Sequence, residues 1–292
     1  MKILTFLKTI LLSSLFIYTS HAQNSEVKIK IDSLSNSVFM LTGQGGNIGI
    51  YVGENNVFMI DSQFAPLSDK IKASIANLTN RPISFLFNTH MHGDHTGGNA
   101  HFNSTSTTLV AHDNVRKNLE SRLAKDGNLS SEILPEVSFS DDISFYDGDE
   151  TIMAFHVHKA HTDGDAMVYL LKNNVLHMGD TYFAGRYPYI DLKSGGSVDG
   201  YIAAQKKALI LLNDDSRIIP GHGKHSNKKE LASNVAMLED IKEKILGEIQ
   251  AGKSLEQVKG NKQLLSDYDK THGNAYIGPE RIREIFYLSL KK

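Results

Sequence analysis

Asn88-Thr89-His90-Met91-His92-Gly93-Asp94-His95-Thr96-Gly97-Gly98-Asn99 packs three histidines and an aspartate into six residues, 90–95. Imidazoles and carboxylates at that density are hard to account for as ordinary surface composition, and they read as a ligand set. The apolar run just before them, 84–87, reads as a buried strand, so the cluster sits where a rigid scaffold hands over to a functional loop. His90 and His92 are two apart, which in extended backbone points both rings the same way. Gly93 then permits a sharp turn that swings Asp94 and His95 onto an adjacent position.

The chain has no cysteine, which excludes disulfides, thiolate nucleophiles and thiolate–zinc sites. A transition-metal site must therefore use imidazole and carboxylate. Lys plus Arg (31) nearly balances Asp plus Glu (33). No global field draws in nucleic acid or an anionic membrane, and a compact enzyme or binding protein fits better.

Residues 1–22 read as an export signal: Lys2 and Lys8 begin it, 10–18 is a short apolar stretch, and Ser20-His21-Ala22 offers a processing site after Ala22. The apolar run is too short to span a bilayer of ~30 Å. The expectation is a periplasmic or secreted protein with no stable membrane insertion after signal removal. Residues 23–292 read as one domain ending in helices. Alternating β-branched residues and glycine turns predict strands at 37–41, 48–52, 56–60, 84–87, 108–111, 143–146, 151–156, 166–171, 175–178 and 217–219. Helices are expected near 67–78, 114–125, 199–212 and 228–250, with a last one starting at Pro279. Clusters of strands with helices between and after them suggest two sheets covered by helices. The stretch 125–136 is a candidate loop over a site, or else a plain surface connection.

The pattern H-x-H-x-D-H at a strand end resembles the metallo-β-lactamase superfamily of hydrolases, which takes its remaining ligands from three later strand ends. The resemblance points to His161 in Ala160-His161-Thr162-Asp163-Gly164-Asp165, to Asp180 closing Leu176-His177-Met178-Gly179-Asp180, and to His222 in Ile219-Pro220-Gly221-His222-Gly223. That resemblance implies an α/β (α+β) four-layer αββα sandwich. It also implies two zinc ions, the first held by His90, His92 and His161, the second by Asp94, His95 and His222, with Asp180 bridging both. Imidazole and carboxylate suit zinc at ~2.0–2.2 Å, and two such ions at roughly 3.5–4 Å form a clamp for hydrolysis. A bridging hydroxide is the implied nucleophile, with Asp94 as the catalytic residue that orients it and relays its proton. Asp61, after Phe58-Met59-Ile60, matches a family position that supports a metal-binding histidine; a loop-capping aspartate is the other reading. His156 and His158 repeat the two-residue spacing without the following Asp-His and are read as ordinary strand residues. His177 is read as a hydrogen-bonded core group. Tyr182-Phe183-Ala184-Gly185-Arg186-Tyr187-Pro188-Tyr189 is a candidate pocket wall, able to take a ring or a carboxylate.

The best-known zinc β-lactamases place a cysteine where Asp180 lies here, or bridge with neither residue. The chain therefore looks more like the glyoxalase II, lactonase and phosphodiesterase branches, whereas export favours a β-lactam. The C-terminal helices lack an obvious basic cluster for glutathione or RNA. The expected activity is zinc-dependent hydrolysis of a small cyclic amide or ester, β-lactam- or lactone-like. The alternatives are a mononuclear iron sulfur dioxygenase of the same fold and a glyoxalase II-like thioesterase or phosphodiesterase. The expected partner is a small-molecule substrate, with no nucleic acid and no protein partner evident.

Overall fold

The computed structural model describes residues 27–291, so the signal expected over 1–22 lies outside the described residues. Seven strands, β1 (Lys30–Ser33), β2 (Val38–Thr42), β3 (Ile48–Val52), β4 (Val57–Ile60), β5 (Phe85–Asn88), β6 (Thr108–His112) and β7 (Val137–Phe139), form a first sheet in chain order. Strands β1 to β4 pair antiparallel across short turns. From β4 to β7 the pairing is parallel, and each such link needs a longer crossover. The crossovers hold α1 (Ser68–Ala76), the short α2 (Gly93–Thr96) and α3 (Asn99–Phe102), and α4 (Asp113–Lys125).

A second sheet takes β8 (Asp142–Asp147), β9 (Glu150–His156), β10 (Ala166–Leu170), β11 (Val175–Phe183), β12 (Arg217–His222) and β13 (Ser226–Asn227), ordered β13-β12-β11-β10-β9-β8. Its single parallel pair, β11 with β12, is spanned by α5 (Val198–Leu211). The chain ends in α6 (Lys228–Gln250), α7 (Leu255–Gly260), α8 (Ser266–His272) and α9 (Pro279–Leu290). Among the described residues, no helix is long and apolar enough to cross a membrane.

The alternation of apolar side chains explains the layering. Met40, Phe58, Phe87 and Val110 of the first sheet meet Ile152, Val168, Val175 and Ile219 of the second in one dry core. Phe58 stacks on Phe85 at 4.9 Å, and Phe145 of the second sheet meets Phe87 edge-on at 5.2 Å. On the outer face of the first sheet, Ile71 and Ile75 of α1 cover Ile50, Met59 and Leu86. On the outer face of the second, Ala204 and Ala208 of α5 cover Met167, Leu176 and Met178. The result is the expected helix–sheet–sheet–helix stack. Helices α6, α7 and α9 add a further apolar cluster against Tyr201 and Ile202 of α5.

Two expectations need adjusting. Strands β11 and β12 do not stop at Met178 and Ile219 but run on through Asp180 and His222. The register between them breaks on either side of Gly179, whose φ of +51° is a conformation glycine takes cheaply. That irregularity re-aims Asp180 inside a strand instead of after one. The segment 125–136 does not cover the ligand cluster. Its carbonyls at Glu132 and Ile133 accept from Asn103 and Asn99, which fastens it beside α3.

Candidate metal centre

The cluster forms where the two sheets meet at their strand ends. His90, His92, Asp94 and His95 follow β5, His161 lies between β9 and β10, Asp180 is in β11, and His222 ends β12. Backbone hydrogen bonds sew the sheets together there: Ala166 N–H donates to the Thr89 carbonyl (2.8 Å) and Asn47 N–H to the Gly221 carbonyl (2.7 Å). The structure brings all seven expected ligand residues together in two groups, His90/His92/His161/Asp180 and Asp94/His95/His222, with ligand atoms in each group within 4.8 Å of one another.

The proton inventory shows what these groups require. His90 Nδ1 donates to Thr89 Oγ1 (3.1 Å), whose own hydrogen goes to Asp61 Oδ2 (2.7 Å). His161 Nδ1 donates to the Tyr189 carbonyl (2.7 Å), and His92 Nε2 donates to Asp191 Oδ2 (3.1 Å). A neutral imidazole has one N–H, so the inward nitrogens of all three rings present lone pairs. Those nitrogens nevertheless lie 3.1 Å (His90 to His92) and 2.9 Å (His161 to His92) apart. Lone pairs facing each other at that distance repel unless a cation lies among them. In the second group, His95 Nδ1 is spent on Asp61 Oδ2 (2.7 Å). His95 Nε2 then faces Asp180 Oδ1 at 3.0 Å, yet both atoms are buried without a hydrogen-bond partner. Orphaned buried groups of this kind call for a missing partner.

Asp180 divides its oxygens. Oδ2 lies 3.5 Å from His161 Nε2 and 3.7 Å from His90 Nε2, whereas Oδ1 faces His95 and His222 Nε2 at 3.0 and 3.4 Å. Asp94 Oδ2 approaches His222 Nε2 at 3.2 Å and His95 Nε2 at 3.6 Å. Glycine makes the space, since a Cβ on Gly46 would fall inside the His95 ring at 2.1 Å and one on Gly221 would sit 2.0 Å from Asp180 Oδ1. The donor set, hard carboxylate plus borderline imidazole, suits a divalent transition ion.

Electrostatics agree. Burial, reinforced by His95, drives His90 well below the usual imidazole range, and burial takes His161 down to about 4. Burial also works against charge on His95 and His222. There the Asp180 carboxylate wins, aided by Asp61 at His95 and by Asp94 at His222, holding His95 well above its ordinary value and His222 at about 9. Burial would raise Asp180, but His95, His222 and His90 hold it well below the carboxylate range.

Of the supporting residues, Asp61 stands where expected, accepting the Thr89 N–H (2.8 Å) on Oδ1 and the Thr89 hydroxyl and His95 on Oδ2. Its φ of +64° is rare for a non-glycine residue. Asp191 was not singled out. It orients His92 and is itself held by the Ser194 hydroxyl (2.7 Å). Nothing local in Tyr189-Ile190-Asp191 announces this, because the pairing spans 99 residues. Asp165, likewise unmarked, caps the His161 loop by accepting the His161 (2.6 Å) and Thr162 (2.7 Å) N–H groups, and burial pushes it up to about 7. His156 and His158 join neither ligand group; His156 stacks on His112 at 3.8 Å and pairs with the Asp165 carbonyl at 2.8 Å. His177 is a buried hydrogen-bonded group facing the Asn47 carbonyl (3.2 Å).

A cavity of about 660 Å³ opens over His92, Asp94, Asp180 and His222. The expected wall is partly there: Phe183, Arg186, Tyr187 and Tyr189 line it, whereas Tyr182 turns away to Ser226 (3.0 Å). Phe64 and, from the α8–α9 connection, Tyr276 and Ile277 complete it.

A cage of imidazoles and carboxylates at the joined edge of two helix-covered sheets defines an αββα metalloprotein. The chain belongs to the metallo-beta-lactamase superfamily of metallohydrolases, whose family model matches residues 41–222. It is 28% identical over 159 residues to a hydroxyacylglutathione hydrolase of Polaromonas sp. (strain JS666 / ATCC BAA-500), which is 54% of this chain and 55% of the relative. The chain thus spans about half the length of that curated relative. Among solved structures it is similar to the inverting sec-alkylsulfatase Pisa1 from Pseudomonas sp. (TM-score 0.74, 13% identity, 90% of this chain and 50% of that one). It is also similar to the DIM-1 metallo-beta-lactamase (0.62, 19%, 73% and 99%) and to a metallo-beta-lactamase from Pontibacter korlensis (0.60, 16%, 73% and 99%). At these identities the structural likeness concerns the fold.

Proposed function

We propose that the chain is a two-zinc hydrolase acting on a small cyclic amide or ester, β-lactam- or lactone-like. The observation that supports two ions is the division of Asp180, one oxygen toward each ligand group. A mononuclear iron reading leaves the fully assembled Asp94/His95/His222 group without a task. Bound there, zinc would supply a Lewis acid and hydroxide at neutral pH.

The protein's own residues do the rest. Asp94 faces the cavity, and although burial would raise its pKa, His222 and His95 hold it below the ordinary carboxylate value. It is therefore ionised and able to orient a water by accepting its hydrogen bond. Phe183 stacks on His222 at 5.0 Å and fixes that ring. Arg186 offers the lining's only arginine fork to a substrate or product carboxylate. Water adds across the acyl bond, hydroxyl to the carbonyl carbon and proton to the departing nitrogen or oxygen. A thioester is the second reading, favoured by the similarity to a hydroxyacylglutathione hydrolase.

The test is metal analysis with turnover of matched lactam, lactone and thioester panels. Two zinc per chain and activity abolished by chelation but restored by zinc are expected. One iron per chain, or turnover undiminished without metal, would overturn the reading.

A further inference from the structure

Helix α4 carries Val115, Leu119 and Arg122 at successive turns of a single face. Val115 and Leu119 are buried against Ala111 of β6, and Met91 packs on the same cluster. The third position on that stripe suits another apolar residue, yet it holds a guanidinium. Arg122 is half-buried, and burial works against its charge, lowering its pKa. A charge withdrawn from water costs stability unless a carboxylate offsets it. Among the described residues Arg122 has no such partner, whereas buried Arg283 of α9 is held by Asp269 Oδ2 at 3.0 Å.

Arg122 Nη2 donates instead to the Met91 carbonyl, at 2.7 Å. The other donor near that carbonyl is the Thr96 hydroxyl, at the long distance of 3.4 Å. What Arg122 holds is therefore the peptide between Met91 and His92. A peptide unit is planar, so fixing its oxygen restricts where the Cα of His92 stands. Of the three histidines in this ligand group, His92 has the most need of support. Its side chain is 22% exposed, against 1% for His90 and 0% for His161. The next residue, Gly93, has no neighbour packed where a Cβ would stand, so the backbone there is free to turn. Asp191 sets the orientation of the His92 ring (3.1 Å). Arg122 acts further back, on the backbone that carries the ring.

We propose that Arg122 is a positioning residue of the metal centre, holding the Met91–His92 peptide so that the inward nitrogen of His92 converges with those of His90 and His161. The proposal rests on the metal-binding reading of the cluster. It accounts for a charge placed where stability alone favours an apolar side chain.

The test sets stability against affinity. Arg122→Leu supplies a side chain that matches Val115 and Leu119, and Met91 is exposed enough for water to reach the freed carbonyl. Urea unfolding of the chelated variant should therefore give a midpoint equal to or above that of the native chain. In stepwise competition with a chromogenic chelator, zinc at the three-histidine group should be held about tenfold more weakly. Zinc at Asp94, His95 and His222 should be held as before, and Asp191→Ala identifies which step of release belongs to which group. Arg122→Lys keeps a charged donor on a long stem and should recover part of the affinity. An arginine that only stabilises the fold gives the opposite pattern. A lower midpoint in Arg122→Leu, or zinc affinity equal to the native chain's, therefore overturns the proposal. If the native chain itself takes up no divalent metal, the metal-binding reading falls and the proposal with it, an outcome distinguished by appearing before any substitution is made.

Discussion

Asp191 never touches the space between the ligand groups, yet it decides which nitrogen of His92 carries the proton. Replacing it with alanine frees the ring to turn, and loss of such a supporting partner typically costs metal sites about 10–100-fold in affinity. Competition with a chromogenic chelator should show that loss confined to the group containing His92. Asp61→Ala should be harsher, because it strands three buried donors, two on Thr89 and one on His95. About 3 kcal/mol of folding stability or more is expected to go, measurable by urea unfolding of chelated protein. His156 makes a different case. Burial, with help from His112, takes it down to about 4. Folded protein therefore stays neutral there while the unfolded chain takes up a proton below the ordinary histidine value of 6.5. Its stabilising effect is complete above about pH 7 and is lost as the pH falls toward 4. In His156→Asn, the stability lost between pH 7.5 and pH 5 should shrink by about 1 kcal/mol, with metal content unchanged. Loss of a metal equivalent would mean that His156 is a ligand after all. The cluster 90–95 stood out by its density of histidine and aspartate, and His161, Asp180 and His222 were found through the resemblance to a family. Asp191 was not legible, since its partner His92 lies 99 residues away and is met only through the fold. Asp165 was not, although His161 and Thr162 are four and three residues from it, because a short polar turn does not announce which of its aspartates accepts the N–H groups.

Among elements, long amphipathic or β-branched runs were the readable ones: β3 and α6 have the expected bounds, and α9 starts at Pro279. The polar edge strand β1, the three-residue β7 and the short α7 and α8 carry too few periodic residues to register. Strand β11 runs past its expected end at Met178 because Gly179 is an irregularity inside the strand. Its neighbour in space, Gly221, tests this packing. In Gly221→Ala the new Cβ would overlap Asp180 Oδ1, so that carboxylate must move. At least tenfold loss of activity and loss of one metal equivalent are expected, with normal metal content refuting the role of the glycine. Helix α8 matters through Arg283 of α9, fully buried and bound to Asp269 Oδ2 (3.0 Å). Asp269 also accepts the Tyr187 hydroxyl (2.8 Å), tying the cavity wall to the terminal helices. Arg283→Ala leaves that carboxylate without its buried partner and should cost about 3–5 kcal/mol.

At the scale of the molecule, two helix-covered sheets were foreseeable from the order of strands and helices. The ligands come from both sheets, so bound ions cross-link the two halves of the core. If zinc is present at about a thousandfold over its dissociation constant, it adds about 4 kcal/mol of stability. Chelation should then lower the melting temperature by about 8–16 °C. An unchanged melting temperature would argue against a cation joining the sheets.

Every ligand falls within residues 41–222, whereas Tyr276 and Ile277, which roof the cavity, lie in the connection between the last two helices. Part of the wall that a bound molecule would meet is therefore contributed by a stretch of polypeptide that holds none of the ligand cluster. Exchanging that stretch alone should change which molecules are accepted while leaving the cluster in place.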